Sequence, residues 1–248
     1  MPAYDFRHPR LYVEQPLDHG ATVALRSAHA HYLVGVLRLK AGDRVLVFNG
    51  RDGEWSATLA VQKRAAALVV GERTRLQTTP ADLHNVFAPL KAARLDYMVQ
   101  KAVEMGVSRL QPVLTRHSQV ARVNVERMRA NAVEAAEQCG ILSLPHVEPP
   151  VAFARFVAEC EGARWLIFCD EDAELADPVT ALATIAAAPR APLAVLVGPE
   201  GGFSEDERAA VLKLPNVVRL ALGPRILRAD TAAVAALALV QAVVGDWR

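Results

Sequence analysis

The sequence predicts an α/β protein. Its C-terminal domain, residues 77–248, is built on a mostly parallel sheet, and a small β-rich barrel, residues 1–76, precedes it. Three observations predict this. Short apolar runs bounded by Gly and Pro, such as Leu193-Ala-Val-Leu-Val197, have the pattern of strands buried on both faces. Such runs alternate with helical segments after residue 82, as in a parallel sheet joined by crossover helices. The first 76 residues instead hold several short strands, hairpin turn signals and one small helix, which suits a compact barrel.

Taken in order, Thr22-Val-Ala-Leu25 and Arg44-Val-Leu-Val-Phe48 are strand-like, and Ser27 is placed to cap a helix over 28–36. Asn49-Gly50 and Asp52-Gly53 signal a hairpin into the alternating run 55–61, and Ala67-Leu-Val-Val70 follows as another strand. Residues 73–82 read as a linker. Asn85-Val-Phe-Ala-Pro89 opens the second domain. A helix follows, with Leu95, Met98, Val99, Ala102, Val103 and Gly106 along one stripe. Lys91, Arg94 and Lys101 fall off that stripe, and spacing alone reads them as a solvated face. Residues 109–114 form the next strand, and Asn124 caps a helix that stops at Gly140. A further helix is expected near 152–159. The buried strand 165–169 runs into the acidic stretch Asp170-Glu-Asp-Ala-Glu174, read as solvated and, with no His beside it, as no metal site.

The chain has 248 residues, 52% hydrophobic and 22% charged, enough apolar material for one large or two ordinary domains. Cys139, Cys160 and Cys169 lack the spacing of a zinc site and cannot all pair, which favours a reducing compartment. Residues 1–6 show no basic-then-apolar signal, and the most apolar run, 232–244, is interrupted by Gln241 and short of the ~20 residues a bilayer span needs. A cytoplasmic protein without a membrane partner is expected. The near-neutral total hides an asymmetry: residues 1–130 hold 19 Lys and Arg against 11 Asp and Glu, and residues 131–248 hold 9 against 16. A basic front half suggests a polyanionic partner.

Ligands of such sheets bind outside the carboxyl ends of the strands. Two unusual loops fall there. Gly198-Pro-Glu-Gly-Gly202 lacks the spacing of a phosphate cradle, and its Glu200 would repel phosphate. A sulfonium or ammonium ligand suits it better, although composition does not separate this from a tight structural turn. Ser204 and Glu207 then form a capping box. The second loop, after the run 217–222, holds Arg225 and Arg228, suited to phosphate or a polar base edge, and Asp230 or Thr231 as cap of an almost wholly apolar last helix.

At these residues the chain resembles a known family. Val195-Leu-Val-Gly-Pro-Glu-Gly-Gly-Phe-Ser204 and Leu220-Ala-Leu-Gly-Pro-Arg-Ile-Leu-Arg228 are similar to the SPOUT methyltransferases, and most to the RsmE type, which methylates uridine N3 in small-subunit ribosomal RNA. His31-Tyr-Leu-Val-Gly-Val-Leu-Arg-Leu-Lys-Ala-Gly-Asp43 resembles its PUA-like barrel. Gln100-Lys-Ala-Val-Glu-Met-Gly-Val107 and Glu134-Ala-Ala-Glu-Gln-Cys-Gly140 resemble two of its helices. The resemblance implies a C-terminal trefoil knot, an exception to unknotted topology, a homodimer through the knot region, and S-adenosylmethionine as cofactor. It puts Leu196, Val197, Gly198, Pro199, Glu200 and Gly201, with Leu220, Leu222, Gly223, Ile226 and Leu227, against that cofactor. It makes Arg228, Glu200 and Asp230 candidate catalytic residues, Arg228 against charge developing on the uracil. It turns Arg38, Lys40, Lys91, Arg94 and Lys101 into candidate contacts to ribosomal RNA.

The chain departs from the family at Ala229-Asp230, where Thr-Glu is usual, at Ile141, where Arg is frequent, and at Val103, where Thr is usual. The rival readings are a methyltransferase of another ribosomal or transfer RNA nucleotide, and an RNA-binding ribosome-assembly protein without catalysis.

Overall fold

The computed structural model describes residues 7–62, 65–160, 162–174, 177–186 and 191–247. The signal-free reading of residues 1–6 lies outside them. The chain divides into two compact units, one of residues 1–79 with 136–144 and one of residues 80–135 with 145–248.

The first unit holds β1 (Arg10–Tyr12), β2 (Thr22–Ala24), α1 (Ser27–Ala30), a π-helical turn (His31–Val36), β3 (Arg44–Phe48), β4 (Glu54–Gln62) and β5 (Ala65–Arg75). They pair in the order β1-β3-β4-β5-β2, β1 parallel to β3 and the rest antiparallel. Leu11, Val23, Leu33, Val45, Val47, Leu59 and Leu68 fill its core. The single helix expected over 28–36 is instead a short α turn followed by the π-helical turn. Its N-cap is Arg26, with no side-chain cap bond, so Ser27 is a helical residue and not the cap. The wider turn, closed by the Leu37 N–H donating to the Tyr32 carbonyl at 2.9 Å, carries Leu33 into the core. Glu54 lies buried between Arg10 and Arg75, which donate to it at 2.8 and 2.6 Å, and both arginines also reach carbonyls within 136–141. Burying a carboxylate works against its charge; these two guanidinium partners reverse that and hold Glu54 below its ordinary range.

The second unit holds β6 (Leu83–Phe87), α2 (Ala92–Glu104), β7 (Arg109–Leu114), most of α3 (Val125–Gln138), β8 (His146–Val147), β9 (Val151–Ala152), α4 (Phe153–Ala158), β10 (Trp165–Cys169), α5 (Pro178–Ala183), β11 (Leu193–Val197), α6 (Glu205–Leu212), β12 (Val217–Leu220) and α7 (Ala229–Val243). Its sheet runs β12-β10-β11-β6-β7-β8, with β9 beside β7, and every pairing is parallel. All five residues of β11 are buried, as the unbroken apolar run predicts. Phe153, Val211 and Phe203 pack over one face of the sheet; α7 packs on β11 and on α2. The α2 stripe Leu95, Met98, Val99, Ala102 and Val103 is buried as predicted. Asn124 Oδ1 accepts the Arg127 N–H at 3.0 Å, and Gly140 stands at φ 70, the expected start and stop of the third α-helix. No helix among the described residues is long and apolar enough to cross a membrane.

Candidate functional site

The parallel sheet brings the carboxyl ends of β10, β11 and β12 side by side, and the two loops singled out in the sequence leave from the last two. Loop 198–203 is braced from several directions. Its Phe203 ring sits against Phe168 and Phe153, with centroids 5.2 and 5.6 Å apart, and so anchors the loop in the core. Gly198 passes over that ring: a Cβ there would lie 2.6 Å from the Phe203 ring, so only glycine fits. The capping box closes the far end, Ser204 Oγ accepting the Glu207 N–H at 3.3 Å and Glu207 Oε2 accepting the Ser204 N–H at 3.0 Å. Glu207 Oε1 also accepts the Arg116 N–H at 2.7 Å, from the turn after β7. Next to it, His117 Nδ1 donates to the Gly201 and Gly202 carbonyls at 3.1 and 3.2 Å.

The end of β10 supplies another brace. Asp170 was expected to be solvated; it is instead buried at 6% exposure. Arg208 of α6 donates to both its oxygens at 3.2 Å, and Arg219 of β12 donates at 2.7 Å. Burial disfavours its charge, but these ion pairs and the Asp172 N–H hold its carboxyl below the usual range. One carboxylate thus ties the helix that follows the first loop to the strand that leads into the second. Among the described residues, no group of three His, Cys, Asp or Glu is placed to hold a metal.

Loop 221–228 differs. β12 ends at Leu220, so Ala221 and Leu222 already belong to the loop. Gly223 turns at φ 89. Residues 223–226 and Arg228 are exposed, Ile226 at 90%. Arg225 and Arg228 have no ion-pair partner among the described residues. The last helix begins earlier than expected: Arg228, at φ −67 and ψ 151, is its N-cap, and Asp230 stands in its first turn. Neither Asp230 nor Thr231 is the cap. The buried Ala229 already belongs to the packed helix, and a carboxylate one residue further in still opposes the helix dipole. Asp230 Oδ1 accepts the Thr231 N–H at 3.0 Å.

Of the cations on α2, Arg94 is drawn to the first loop and meets Glu200 at 3.1 Å, both about a third exposed. Lys101 pairs with Glu104 at 2.6 Å and lies 5.7 Å from the Tyr97 ring centre. Lys91 is the N-cap of α2. Arg38 and Lys40 belong to the first unit, exposed after the π-helical turn. Of the cofactor-contact candidates, Leu196, Val197, Pro199 and Leu220 are buried, Gly198, Leu222 and Leu227 half-buried, and Glu200, Gly201 and Gly223 exposed. Sequence reasoning passed over His117, Arg208 and Arg219 and read Asp170 as solvated; a single polar residue in a strand, a helix or a loop is a signal that many segments share.

A family model described as an RNA methyltransferase domain matches residues 77–241, and one described as an RNA methyltransferase PUA domain matches residues 25–70. Ribosomal RNA small subunit methyltransferase E of Rickettsia conorii is 29% identical over 95% of this chain and 96% of its own length. Its counterpart in Synechocystis is 30% identical over 90% of this chain and 74% of its own length. The crystal structure of the Neisseria gonorrhoeae enzyme of that name, bound to S-adenosyl methionine, superposes with a TM-score of 0.83 at 28% identity, covering 97% of this chain and all of that one. A putative methyltransferase of Legionella pneumophila, in complex with the cofactor SAM, gives 0.83 at 28%, covering 95% of this chain and 98% of that one. With both of its units matched and its length spanned by these relatives, the chain belongs to the ribosomal RNA small subunit methyltransferase E family of RNA methyltransferases.

Proposed function

We propose that the protein methylates N3 of a uridine in small-subunit ribosomal RNA, using S-adenosylmethionine. The observation that carries this is the braced loop 198–203, whose backbone is held open at the end of β11 in a chain of this family. The residues present fit the cofactor. Gly198 lets the loop backbone turn tightly over the Phe203 ring at the end of β11, Leu196, Val197, Leu220 and Leu222 supply apolar side chains at the ends of β11 and β12, and no phosphate-binding spacing competes. Gly198, Pro199, Glu200 and Gly201 hold one side of it, and Leu220, Leu222, Gly223, Ile226 and Leu227 the adenosyl part. When bound, S-adenosylmethionine supplies a methyl group made electrophilic by its sulfonium.

Uridine N3 carries a proton at neutral pH, and this has to leave for the nitrogen to act as nucleophile. Arg228, exposed at the cap of α7 and without an ion-pair partner among the described residues, is the group that stabilises negative charge spreading onto the uracil oxygens. Glu200 and Asp230 are the candidate acceptors of the proton. Arg94 already engages Glu200, which makes Arg94 a partner of the loop first and an RNA contact second. Arg38, Lys40, Lys91 and Lys101 are the remaining contacts to RNA.

We further infer a trefoil knot formed by the two loops, supported by the family and by the chain visiting β10, β11 and β12 while β10 lies between the other two. A homodimer through α7 is supported by that helix's second face, where Val234, Ala235, Ala238 and Leu239 are half-buried while Ala233, Ala236, Leu237 and Val240 fill the core. A cytoplasmic location accords with an RNA substrate. Incubating the protein with S-adenosylmethionine and either naked small-subunit RNA or assembled subunits, then analysing nucleosides by mass spectrometry, tests the reaction. N3-methyluridine is the expected product. A different methylated nucleoside moves the target, and the absence of both product and cofactor binding identifies an assembly protein.

A further inference from the structure

Between Asp18 and Asp43 the chain holds no acidic residue, while it carries Arg38 and Lys40 together with His19, His29 and His31, and Arg26, which is paired with Glu14. At the centre of this stretch is the π-helical turn His31–Val36, a rare form of helix that is frequent at functional sites. It buries Leu33 alone and leaves large apolar side chains outside: Tyr32 is 41% exposed and Val36 58%, with Val34 and Leu37 beside them. An apolar cluster of this kind on a surface marks an interaction site. The chain then bends at Arg38, which stands at φ 55 and is the one non-glycine residue in the left-handed region among those described. The bend is pinned by Asp43, whose Oδ2 accepts the Lys40 N–H at 2.7 Å. Arg38 and Lys40 are exposed and have no ion-pair partner among the described residues.

We propose that this turn is a docking platform for an unpaired segment of RNA, with Tyr32 stacking on a base and Arg38 and Lys40 meeting the phosphates on either side. The proposal rests on the reading of the chain as an RNA methyltransferase and names the form of RNA it grips. Cationic side chains in a stretch free of carboxylates suit a polyanion and argue against an ordinary protein partner. The apolar side chains decide between the two forms of RNA. A duplex presents phosphates, hydroxyls and groove edges, which offer nothing to exposed valine and leucine. An unpaired strand presents base faces, on which an aromatic ring stacks and aliphatic groups pack.

Fluorescence anisotropy of the full-length protein with a short labelled RNA, single-stranded or annealed to its complement, tests this. The wild type binds the single strand more tightly. Tyr32→Ala weakens single-strand binding by about tenfold, the loss of one stacked base, and leaves the salt dependence unchanged, whereas Tyr32→Phe retains the affinity. Arg38→Ala and Lys40→Ala each lower the slope of log affinity against log salt by about 0.7, one phosphate contact apiece. A Tyr32→Ala protein that binds the single strand as the wild type does, or a wild type that prefers the duplex, overturns the platform. A Tyr32→Ala protein whose sedimentation changes without RNA also overturns it, since the face then seats protein. Calorimetry with S-adenosylmethionine keeps the two readings apart: equal cofactor binding by wild type and Tyr32→Ala places any loss on the platform alone, whereas a wild type that binds no cofactor overturns the methyltransferase reading instead.

Discussion

The two loops at the end of the parallel sheet are built on opposite plans. Loop 198–203 is tied by a buried aromatic ring, a capping box, an imidazole on two carbonyls, and an ion pair from Arg94. Loop 221–228 is bare: Arg225, Ile226 and Arg228 stand in solvent, with no side-chain bond to the rest of the unit among the described residues. The first loop has its conformation set by the chain. The second has side chains that only a ligand, a substrate or another copy of the protein would cover. Substitutions in the first should therefore act on stability as well as on cofactor binding, and substitutions in the second on ligand binding or turnover with the fold intact.

The largest effect expected is on the bare side. Arg228→Ala should lower the methyl-transfer rate by about 2.7–4 kcal/mol of transition-state stabilisation, as loss of one oxyanion-hole donor does, while its thermal midpoint stays that of the wild type. Turnover near the wild-type value would remove Arg228 from the chemistry. On the braced side, Asp170→Asn removes the charge shared by Arg208 and Arg219. Breaking a buried pair removes about 3–5 kcal/mol, and the half-exposed arginines place this one near 3 kcal/mol, read by denaturant unfolding.

The same carboxylate gives the braced side a pH signature. Asp170 is held below its ordinary range in the folded protein, so its contribution is complete above the unfolded value near 3.9 and is lost as pH falls through the lower folded one. Unfolding free energies of wild type and Asp170→Asn should converge on acidification below about pH 4; parallel curves would show that Asp170 is not the source. Gly198→Ala pushes a methyl group into the Phe203 ring and should destabilise by about 1–3 kcal/mol, with weakened cofactor binding by calorimetry. The smallest change belongs to the bare loop again. Ile226→Ala should leave stability within about 0.5 kcal/mol, as for surface sites away from packed features, and weaken cofactor binding or self-association instead.

Much of the fold was legible in the chain because its signals are local. The run 193–197 is a strand buried on both faces because each of its residues is apolar, and the α2 stripe is buried because its spacing matches a helical turn. Ser204 and Glu207 form their capping box because three residues separate them, as the motif requires. Where a local signal was ambiguous, packing decided. Asp230 and Thr231 are good caps by type, yet the last helix begins earlier, because burial of Ala229 outweighs one capping bond; Ser27 is a good cap by type as well, and nothing in the structure explains why Arg26 takes that place. The split of the helix over 28–36 into an α turn and a π-helical turn had no sequence signal at all.

By itself, then, the sequence determined most of the longer strands and helices, the two loops and, through their motifs, the family. Only the tertiary structure decided which side chains meet at those loops. Arg94 and Glu200 are 106 residues apart, Asp170 lies 38 residues from Arg208 and 49 from Arg219, and His117 lies 84 from Gly201. No spacing rule links such pairs. They come together because parallel strands, joined by crossover helices, bring distant strand ends to one edge of a sheet, and there a buried carboxylate is stable only beside the cations that the fold delivers to it.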